Sequence, residues 1–333
     1  MLFTIYEQSF GRQGAEELWR AWGRQLEQGQ WFWLAMVVLL LPANWCLEAQ
    51  KWRYLLSPFH RLPFGQAFRA VIIGVSVSLF TPNRVGEYAG RVLAVPAPLR
   101  PKAMVAMAGG SLAQLLVILS VGVVEATFFL GALPGGIKQN AVIWTGAAVV
   151  VVAVLFAFFF NLRRIPRLAQ RLGMPKRVLR SLLLLRRYGR GLLARALLLA
   201  TLRYSVYSLQ YFGLLAFFGV YIPPIAAFAG IGTIFLVQTS VPLPPTLALL
   251  VRGETALFLW SAYSPHKGGI LAATFALFII NLCLPALLGL IFIVKTNVLK
   301  SLGYENDVVQ NEPVKCCTDL SHGFHTPRKA GMG

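Results

Sequence analysis

The sequence has few acidic residues, and most of its long middle part has almost none. Aspartate and glutamate together number 12, against 31 lysines and arginines, and no aspartate precedes Asp307. The stretch between Glu48 and Glu305 holds only three acids, namely Glu87, Glu125 and Glu254. Enzymes that use Mg²⁺ or Ca²⁺ hold the ion with carboxylates and other oxygen ligands. The shortage of acids therefore argues against metal-dependent catalysis.

Cysteine and histidine are scarce as well. Cys46 and Cys283 lie in apolar segments, while Cys316 and Cys317 are adjacent near the end of the chain. This spacing fits neither a zinc site nor a disulfide framework. The histidines lie outside the apolar runs, so the sequence predicts no metal site and no cofactor. We interpret the cysteines as ordinary thiols, with reversible acylation of the adjacent pair as the weaker alternative.

Long runs without any ionised side chain are what the sequence has in abundance. Hydrophobic residues make up 57% of the chain and charged residues 13%, whereas soluble domains carry roughly 25% charged residues. The uncharged runs are 28–47, 141–160, 204–251 and 268–294. The composition predicts an all-α polytopic membrane protein. We expect about six spanning helices plus two re-entrant or broken helix pairs in an inverted repeat.

The net charge of +19 is carried by loops rather than by the apolar runs. In a membrane protein such loops mark the cytoplasmic side, so we do not interpret the charge as nucleic-acid binding. The distribution of the basic loops predicts an external N-terminus, a cytoplasmic C-terminus and a basic cytoplasmic linker that contains no acid. The predicted parts are a polar N-terminal segment 1–29 with a short interfacial helix, a first membrane repeat 30–161, the linker 162–195, a second membrane repeat 196–295 and a disordered tail 296–333.

The first interruption of the apolar pattern follows residue 80. The apolar arm 70–80 is too short to span a bilayer, which needs roughly 20 residues. It is followed by three residues suited to a turn, Pro82, Asn83 and Gly86, and by three charged residues, Arg84, Glu87 and Arg91. Ionisable residues at membrane depth are costly and mark functional sites. We predict a re-entrant loop here that lines a polar cavity.

A second interruption has the same order of parts. The apolar arm 225–239 is broken at Pro242 and Pro244, and the returning arm carries Arg252 and Glu254. The loop charges predict that the first break opens to the cytoplasm and the second to the outside. Paired broken helices in an inverted repeat are typical of alternating-access transporters, whose site lies near the midplane.

Arginine clusters at membrane depth suit a phosphate group, because the guanidinium fork matches phosphate oxygens. We therefore predict a headgroup site at Arg84, Glu87, Arg91, Arg252 and Glu254. The alternative for Glu87 and Arg91 is a simple i,i+4 pair on a helix at the cytoplasmic interface.

Four other residues are expected away from this site. We place Glu48 and Arg53 at a membrane interface, with Trp52 beside them as an anchor. We also place Glu125 near the outer end of its span.

Three motifs together resemble a known family. They are Glu48–Arg53 (EAQKWR), Pro82–Arg91 (PNRVGEYAGR), and the Pro-x-Pro of Pro242 and Pro244 followed by Glu254. With these motifs, residues 30–295 resemble the lysylphosphatidylglycerol synthase transmembrane region family, which includes the flippase domain of bacterial multiple peptide resistance factors.

The resemblance implies a multi-pass protein of the bacterial inner membrane that moves a phospholipid or a lipid-linked saccharide between leaflets. The aminoacyltransferase half of the full-length factors has no counterpart here, so lysyl transfer is not expected. The chain departs from the family in two ways. Family members begin with one more span, and their second turn is glycine-rich where this chain has residues 245–250 (PTLALL).

Two functions from other classes stay open beside lipid movement. One is a non-transporting accessory subunit of a lipid-modifying system, and the other is a membrane-embedded enzyme that acts on a lipid phosphate. The leading hypothesis is a flippase without covalent chemistry, with membrane lipids as partners. A homo-oligomer or a companion lipid-modifying enzyme is compatible with it.

Overall fold

The structure is a computed structural model that describes most of the chain between residues 30 and 295. The described residues are 23, 30–79, 81, 85–93, 95–132, 138–240 and 245–295. They are almost entirely helical, and no strand occurs among them. The interfacial helix expected within 1–29 and the disordered tail expected at 296–333 lie outside these residues.

The first half of the described chain consists of five α-helices. They are α1 Trp31–Leu56, α2 Phe64–Leu79, α3 Val85–Leu93, α4 Arg100–Ala132 and α5 Lys138–Phe160. Short 3₁₀ segments precede α4 and follow α5, at Ala97–Leu99 and Leu162–Arg164.

The second half begins with two short helices in the basic linker. They are α6 Ile165–Arg171 and α7 Lys176–Leu183. The helices that follow are α8 Arg190–Phe217, α9 Pro224–Ser240, α10 Pro245–Trp260, α11 Lys267–Phe278 and α12 Leu284–Lys295. A π-helical segment, Ile279–Cys283, joins α11 to α12.

Four helical stretches are long and apolar enough to cross a membrane. They are Trp31–Leu56, Ala97–Ala126, Arg190–Phe217 and Lys267–Val294. A fifth is added if Thr145–Phe160 and Leu162–Arg171, which meet at a bend of 61°, are taken as one span. The all-α polytopic membrane fold is confirmed. The helices α2 and α9 are the two short apolar arms that the sequence predicted.

The helices α1 and α8 pack against each other in opposite directions. Near the start of α1, Gln30 Nε2 donates a hydrogen bond of 2.8 Å to Tyr221 Oη, just after α8 ends. Farther along, Gln210 Nε2 donates to the Val37 carbonyl, and Arg203 Nε donates to Asn44 Oδ1. Residue numbers thus rise along α1 while they fall along α8.

Each of these helices is followed by a helical hairpin. The helices α2 and α3 pair after α1 ends, and α9 and α10 pair after α8 ends. Since α1 and α8 are antiparallel, the two hairpins start from opposite ends of that pair. The turn residues Pro82, Asn83, Pro242 and Pro244 lie outside the described part of the chain. The first arm of each hairpin packs on the other half, because α9 contacts α4 and α2 contacts α12.

Glycines set the close approach of the first hairpin. A Cβ at Gly90 would lie close to the Cα of Gly74, and one at Gly86 close to the backbone of Val77. Thr81 Oγ1 also accepts a 2.8 Å hydrogen bond from the amide of Gly86. Gly86 was predicted to form the turn, but the structure places it in the first turn of α3, where its lack of a side chain lets the returning arm touch the entering one.

We expect Gly90→Ala to lower stability, although alanine is the better helix former by about 1 kcal/mol. The added methyl group overlaps α2 backbone, which cannot move aside as a flexible side chain can, and overpacking of this kind costs about 1–3 kcal/mol. Thermal unfolding in detergent measures the effect. The control is Gly146→Ala on α5, where an added Cβ meets nothing within 4 Å. Equal unfolding temperatures for the two variants would contradict the close helix contact.

Candidate functional site

A single carboxylate collects three cations between the helices. Glu48 on α1 is 6% exposed, and its oxygens lie 2.7 Å from Lys51 Nζ, 2.9 Å from Arg91 Nη1 and 2.8 Å from Arg203 Nη1. We call these four residues the Glu48 cluster. A buried carboxylate is stable in its charged form only when cations and hydrogen bonds compensate its desolvation, and here three cations do so.

Three helices bring the cluster together. Glu48 and Lys51 lie at i,i+3 on α1, so they share one face of that helix. Arg91 comes from the last turn of α3. Arg203 is the fourteenth of the 28 residues of α8, so the charges lie near the middle of a spanning helix.

Polar side chains hold Arg203 in place. Asn44 accepts a 3.0 Å hydrogen bond from Arg203 Nε and donates a 2.9 Å bond to Asn281 Oδ1 on the π segment. The guanidinium also lies 5.4 Å from the ring centroid of Trp45. The fork is thus fixed on several sides, and such preorganisation lowers the entropy lost when a ligand binds.

Glu87 lies at the edge of this cluster. Its Oε2 is 3.5 Å from Arg91 Nη2, and its side chain is 21% exposed, compared with 4% for Arg91. The i,i+4 pair proposed as the alternative therefore exists. Its arginine, however, points into the bundle toward Glu48 rather than lying on an interfacial surface.

Arg252 on α10 is a buried cation without an acidic partner among the described residues. It is 5% exposed, and its guanidinium donates to Gln238 Oε1 and, at 3.4 Å, to Tyr207 Oη. Tyr207 is one helical turn from Arg203 on α8, so α8 connects Arg252 with the Glu48 cluster. Neutral partners compensate the charge of a buried guanidinium only in part.

The charges of the Glu48 cluster and its neighbours Glu87 and Arg252 do not balance. Four cations face two carboxylates in this set, which leaves a formal excess of two positive charges. The cations are Lys51, Arg91, Arg203 and Arg252, and the carboxylates are Glu48 and Glu87. Glu125 and Glu254 form no ion pair with these cations among the described residues. An unbalanced buried cation is costly in a membrane protein. The arrangement suits an anionic ligand with several oxygens, such as a phosphate group.

Comparison with known proteins places the chain in a family. Residues 10–289 match the family described as Lysylphosphatidylglycerol synthase TM region. The chain belongs to that family. No curated protein and no solved structure matches the chain. As a member of the lysylphosphatidylglycerol synthase transmembrane region family, the protein is a multi-pass membrane protein associated with membrane lipids and lipid-related processes.

The part of the chain that matches the family includes every residue predicted for the site. The structure places Arg91 and Glu87 beside Glu48 and places Arg252 next to α8. Glu254 is partly exposed on α10, and no ion pair to it is found among the described residues. Arg84 lies outside the described residues.

The predicted positions of Glu48 and Trp52 were wrong. They were expected at a membrane interface, but Glu48 is buried at the centre of the charge cluster and Trp52 is 1% exposed. The reason is that α1 continues to Leu56 and packs along α8 and α4 there. The spacing of Asn44, Glu48 and Lys51 on one helix face was the signal that could have revealed this.

Glu125 lies one residue before the end of the candidate span Ala97–Ala126, in agreement with its expected place near one end of the span. It accepts a 3.0 Å hydrogen bond from Tyr204 Oη, and Tyr204 lies at the middle of α8. The part of the chain that the structure describes contains no group of three or more His, Cys, Asp or Glu residues that could hold a metal ion.

Proposed function

We propose that this protein moves a phospholipid, or a lipid-linked saccharide, between the leaflets of a bacterial inner membrane. The observation that carries the proposal is the excess positive charge buried beside α8, between two hairpins that start from opposite ends of the bundle. A lipid headgroup phosphate supplies the missing negative charge. The family's association with membrane lipids supports this choice of ligand.

In the proposed mechanism, the arginines take over part of the headgroup's hydration shell. Arg91 Nε is buried and has no hydrogen-bond acceptor among the described residues, so it can donate to a phosphate oxygen. Arg252 can exchange its neutral partners for the same ligand. Each hydrogen bond to a charged group contributes about 1.5–3 kcal/mol, which offsets part of the cost of dehydrating the headgroup.

The two hairpins provide the alternation of access. In the transporter architecture with inverted repeats, one half moves against the other while the site stays near the midplane. Here α9 would move away from α4 and back while α2 moves against α12, so the headgroup would face each side in turn. This mechanism involves no covalent chemistry, so we do not propose an enzyme.

The orientation we propose rests on the distribution of arginines. The end of the bundle where α1 ends and α8 begins carries the linker arginines, and Arg187 there donates a 3.0 Å hydrogen bond to the Pro58 carbonyl. Loops rich in arginine and lysine stay in the cytoplasm. This end therefore faces the cytoplasm, the N-terminus is outside and the C-terminus is inside.

Leaflet exchange of labelled phospholipids in proteoliposomes tests the proposal. We expect the wild type to exchange lipid faster than empty vesicles, and Arg84→Ala and Glu87→Gln to slow this exchange. Arg195→Gln, which neutralises an exposed arginine on α8, is the matched control and should exchange like the wild type. A wild type that exchanges no lipid, with a panel of anionic, cationic and polyprenyl-linked lipids, would favour an accessory subunit instead.

A further inference from the structure

The helices α4 and α9 cross at a point where both lack side chains. A Cβ added at Gly122 on α4 would lie 3.0 Å from the Gly232 carbonyl and 3.0 Å from the Leu236 Cβ. A Cβ added at Gly232 on α9 would overlap the Glu125 carboxylate, with Oε2 as its nearest atom. The carboxylate of Glu125 therefore rests directly on the backbone of α9, in the space that Gly232 leaves open.

The groups around this carboxylate are almost all neutral. From α8, Tyr204 Oη donates a 3.0 Å hydrogen bond to Glu125 Oε2, and Tyr207, one turn away, is bonded to Arg252. The helix α9 has no titratable residue, and in α5 the only acid or base is Lys138 at its start. Within the described residues, no cation forms an ion pair with Glu125.

The free energy of a carboxyl group in such a place depends strongly on whether the group is protonated. An ionised side chain that is desolvated without a cation loses its hydration free energy, and one phenol hydrogen bond restores only part of it. A protonated carboxyl group does not carry this cost. The closed contact between α4 and α9 therefore favours the protonated form, whereas separation of the helices admits water and favours the ionised form.

Proton binding and helix contact are consequently linked in both directions. If separation of α9 from α4 changes the affinity of Glu125 for a proton, then protonation changes the equilibrium between contact and separation by the same factor. The helix α9 is the first arm of the second hairpin, which the proposed transport cycle requires to move. The Glu125 carboxylate lies at the point where that hairpin contacts the first half of the chain.

We propose that Glu125 is a proton-binding site whose occupancy controls the contact between α9 and α4 and thereby couples lipid movement to protons. This inference rests on the proposed function for its link to lipid. The proton enters from water onto the carboxylate and returns to water when α9 separates, so no other reactant is needed. The ligand is a single proton, since the described surroundings offer too few oxygen ligands for a metal ion.

The first experiment is leaflet exchange in proteoliposomes over a pH series, with and without a proton gradient. We expect the wild-type rate to depend on pH and on the gradient. Glu125→Gln imitates the protonated state and should show neither dependence. Glu305→Gln removes a carboxylate that comes after α12 in the sequence, and it should keep both responses.

For the variant Tyr204→Phe, the direction in which the pH midpoint of lipid exchange changes can be predicted. The phenol donates to the ionised carboxylate, so its removal disfavours the ionised form. We expect the pH midpoint of exchange to move upward in Tyr204→Phe. A midpoint that stays in place, or a Glu125→Gln protein with the wild-type pH response, would overturn the proposal.

A second experiment separates this inference from the proposed function. Infrared difference spectroscopy of the purified protein during acidification detects the protonated carboxyl group of a partly buried acid without any lipid movement. We expect a band that is absent from Glu125→Gln and present in Glu305→Gln. If the wild type shows this band but exchanges no lipid, the proton site stands and the proposed function fails. If Glu125→Gln retains the band, the proton site is wrong whatever the exchange assay shows.

Discussion

Replacing Glu48 with glutamine is expected to destabilise the protein more than any other single neutralisation of a charge. The substitution leaves Lys51, Arg91 and Arg203 buried or half-buried without the carboxylate they share. Removal of one partner from a buried ion pair costs about 3–5 kcal/mol, because the remaining charge is uncompensated. Here three cations lose the same partner, so a shift of this size or larger should appear in thermal unfolding in detergent.

Glu87→Gln is the matched control for this effect. Its carboxylate contacts one arginine at 3.5 Å and is more exposed than Glu48, so the expected loss is about 1 kcal/mol or less, as for exposed pairs. The double variant Glu48→Gln/Lys51→Met should recover part of the stability, because it removes one of the uncompensated cations. Additive effects of the two substitutions would contradict a shared network, as would equal unfolding temperatures for Glu48→Gln and Glu87→Gln.

Arg252→Gln should lose lipid exchange but keep its stability, whereas Glu48→Gln should lose stability. The arginine is buried among neutral partners, so its desolvation is compensated only in part, and its removal relieves that cost. If Arg252 binds a headgroup phosphate, loss of the contact costs about 1.5–3 kcal/mol, which corresponds to roughly a tenfold or larger loss in affinity. The unfolding temperature should stay at the wild-type value or rise.

Two further variants show whether lipid exchange depends on the positive charge of Arg252 or on the planar donor geometry of its guanidinium group. Arg252→Lys keeps the charge but loses the planar donor fork, so we expect exchange between that of the wild type and that of Arg252→Gln. Arg195→Gln, at an exposed position on α8, controls for the loss of one positive charge from the protein. A large loss of stability in Arg252→Gln would show that the residue is structural. Wild-type exchange in the same variant would remove it from the site.

The features that the sequence could predict are those encoded in short stretches of chain. The apolar arms before residues 82 and 242 are too short to span, and their prolines interrupt the helical pattern, so two broken pairs could be predicted without coordinates. The opposite starting points of the hairpins followed from loop charges, and the antiparallel packing of α1 and α8 agrees with them. The division into domains at 162–195 stays a prediction.

The charge cluster could not be predicted because its contacts are distant in the chain. Glu48 meets Arg203 across 155 positions and Arg91 across 43. The sequence shows an acid at the end of an apolar run, and such a residue is commonly interfacial. Only the packing of α1 against α8 and α4, with Arg91 reaching in from α3, places it inside. The contact of Glu125 with Tyr204, 79 positions away, could not be predicted for the same reason.

The measurement that tests the account most directly is the position of the headgroup during transport. A phospholipid with a photoreactive group on its headgroup is incorporated into proteoliposomes with the wild-type protein, and mass spectrometry then maps the labelled residues. We expect adducts near Glu87 on α3, Tyr207 on α8 and Gln238 on α9, which contacts Arg252, with fewer in Arg252→Gln. A lipid that carries the photoreactive group on its acyl chain should instead label outward-facing residues such as Phe258, which is 74% exposed. Headgroup adducts confined to the helix ends would contradict entry of the headgroup into the charged interior.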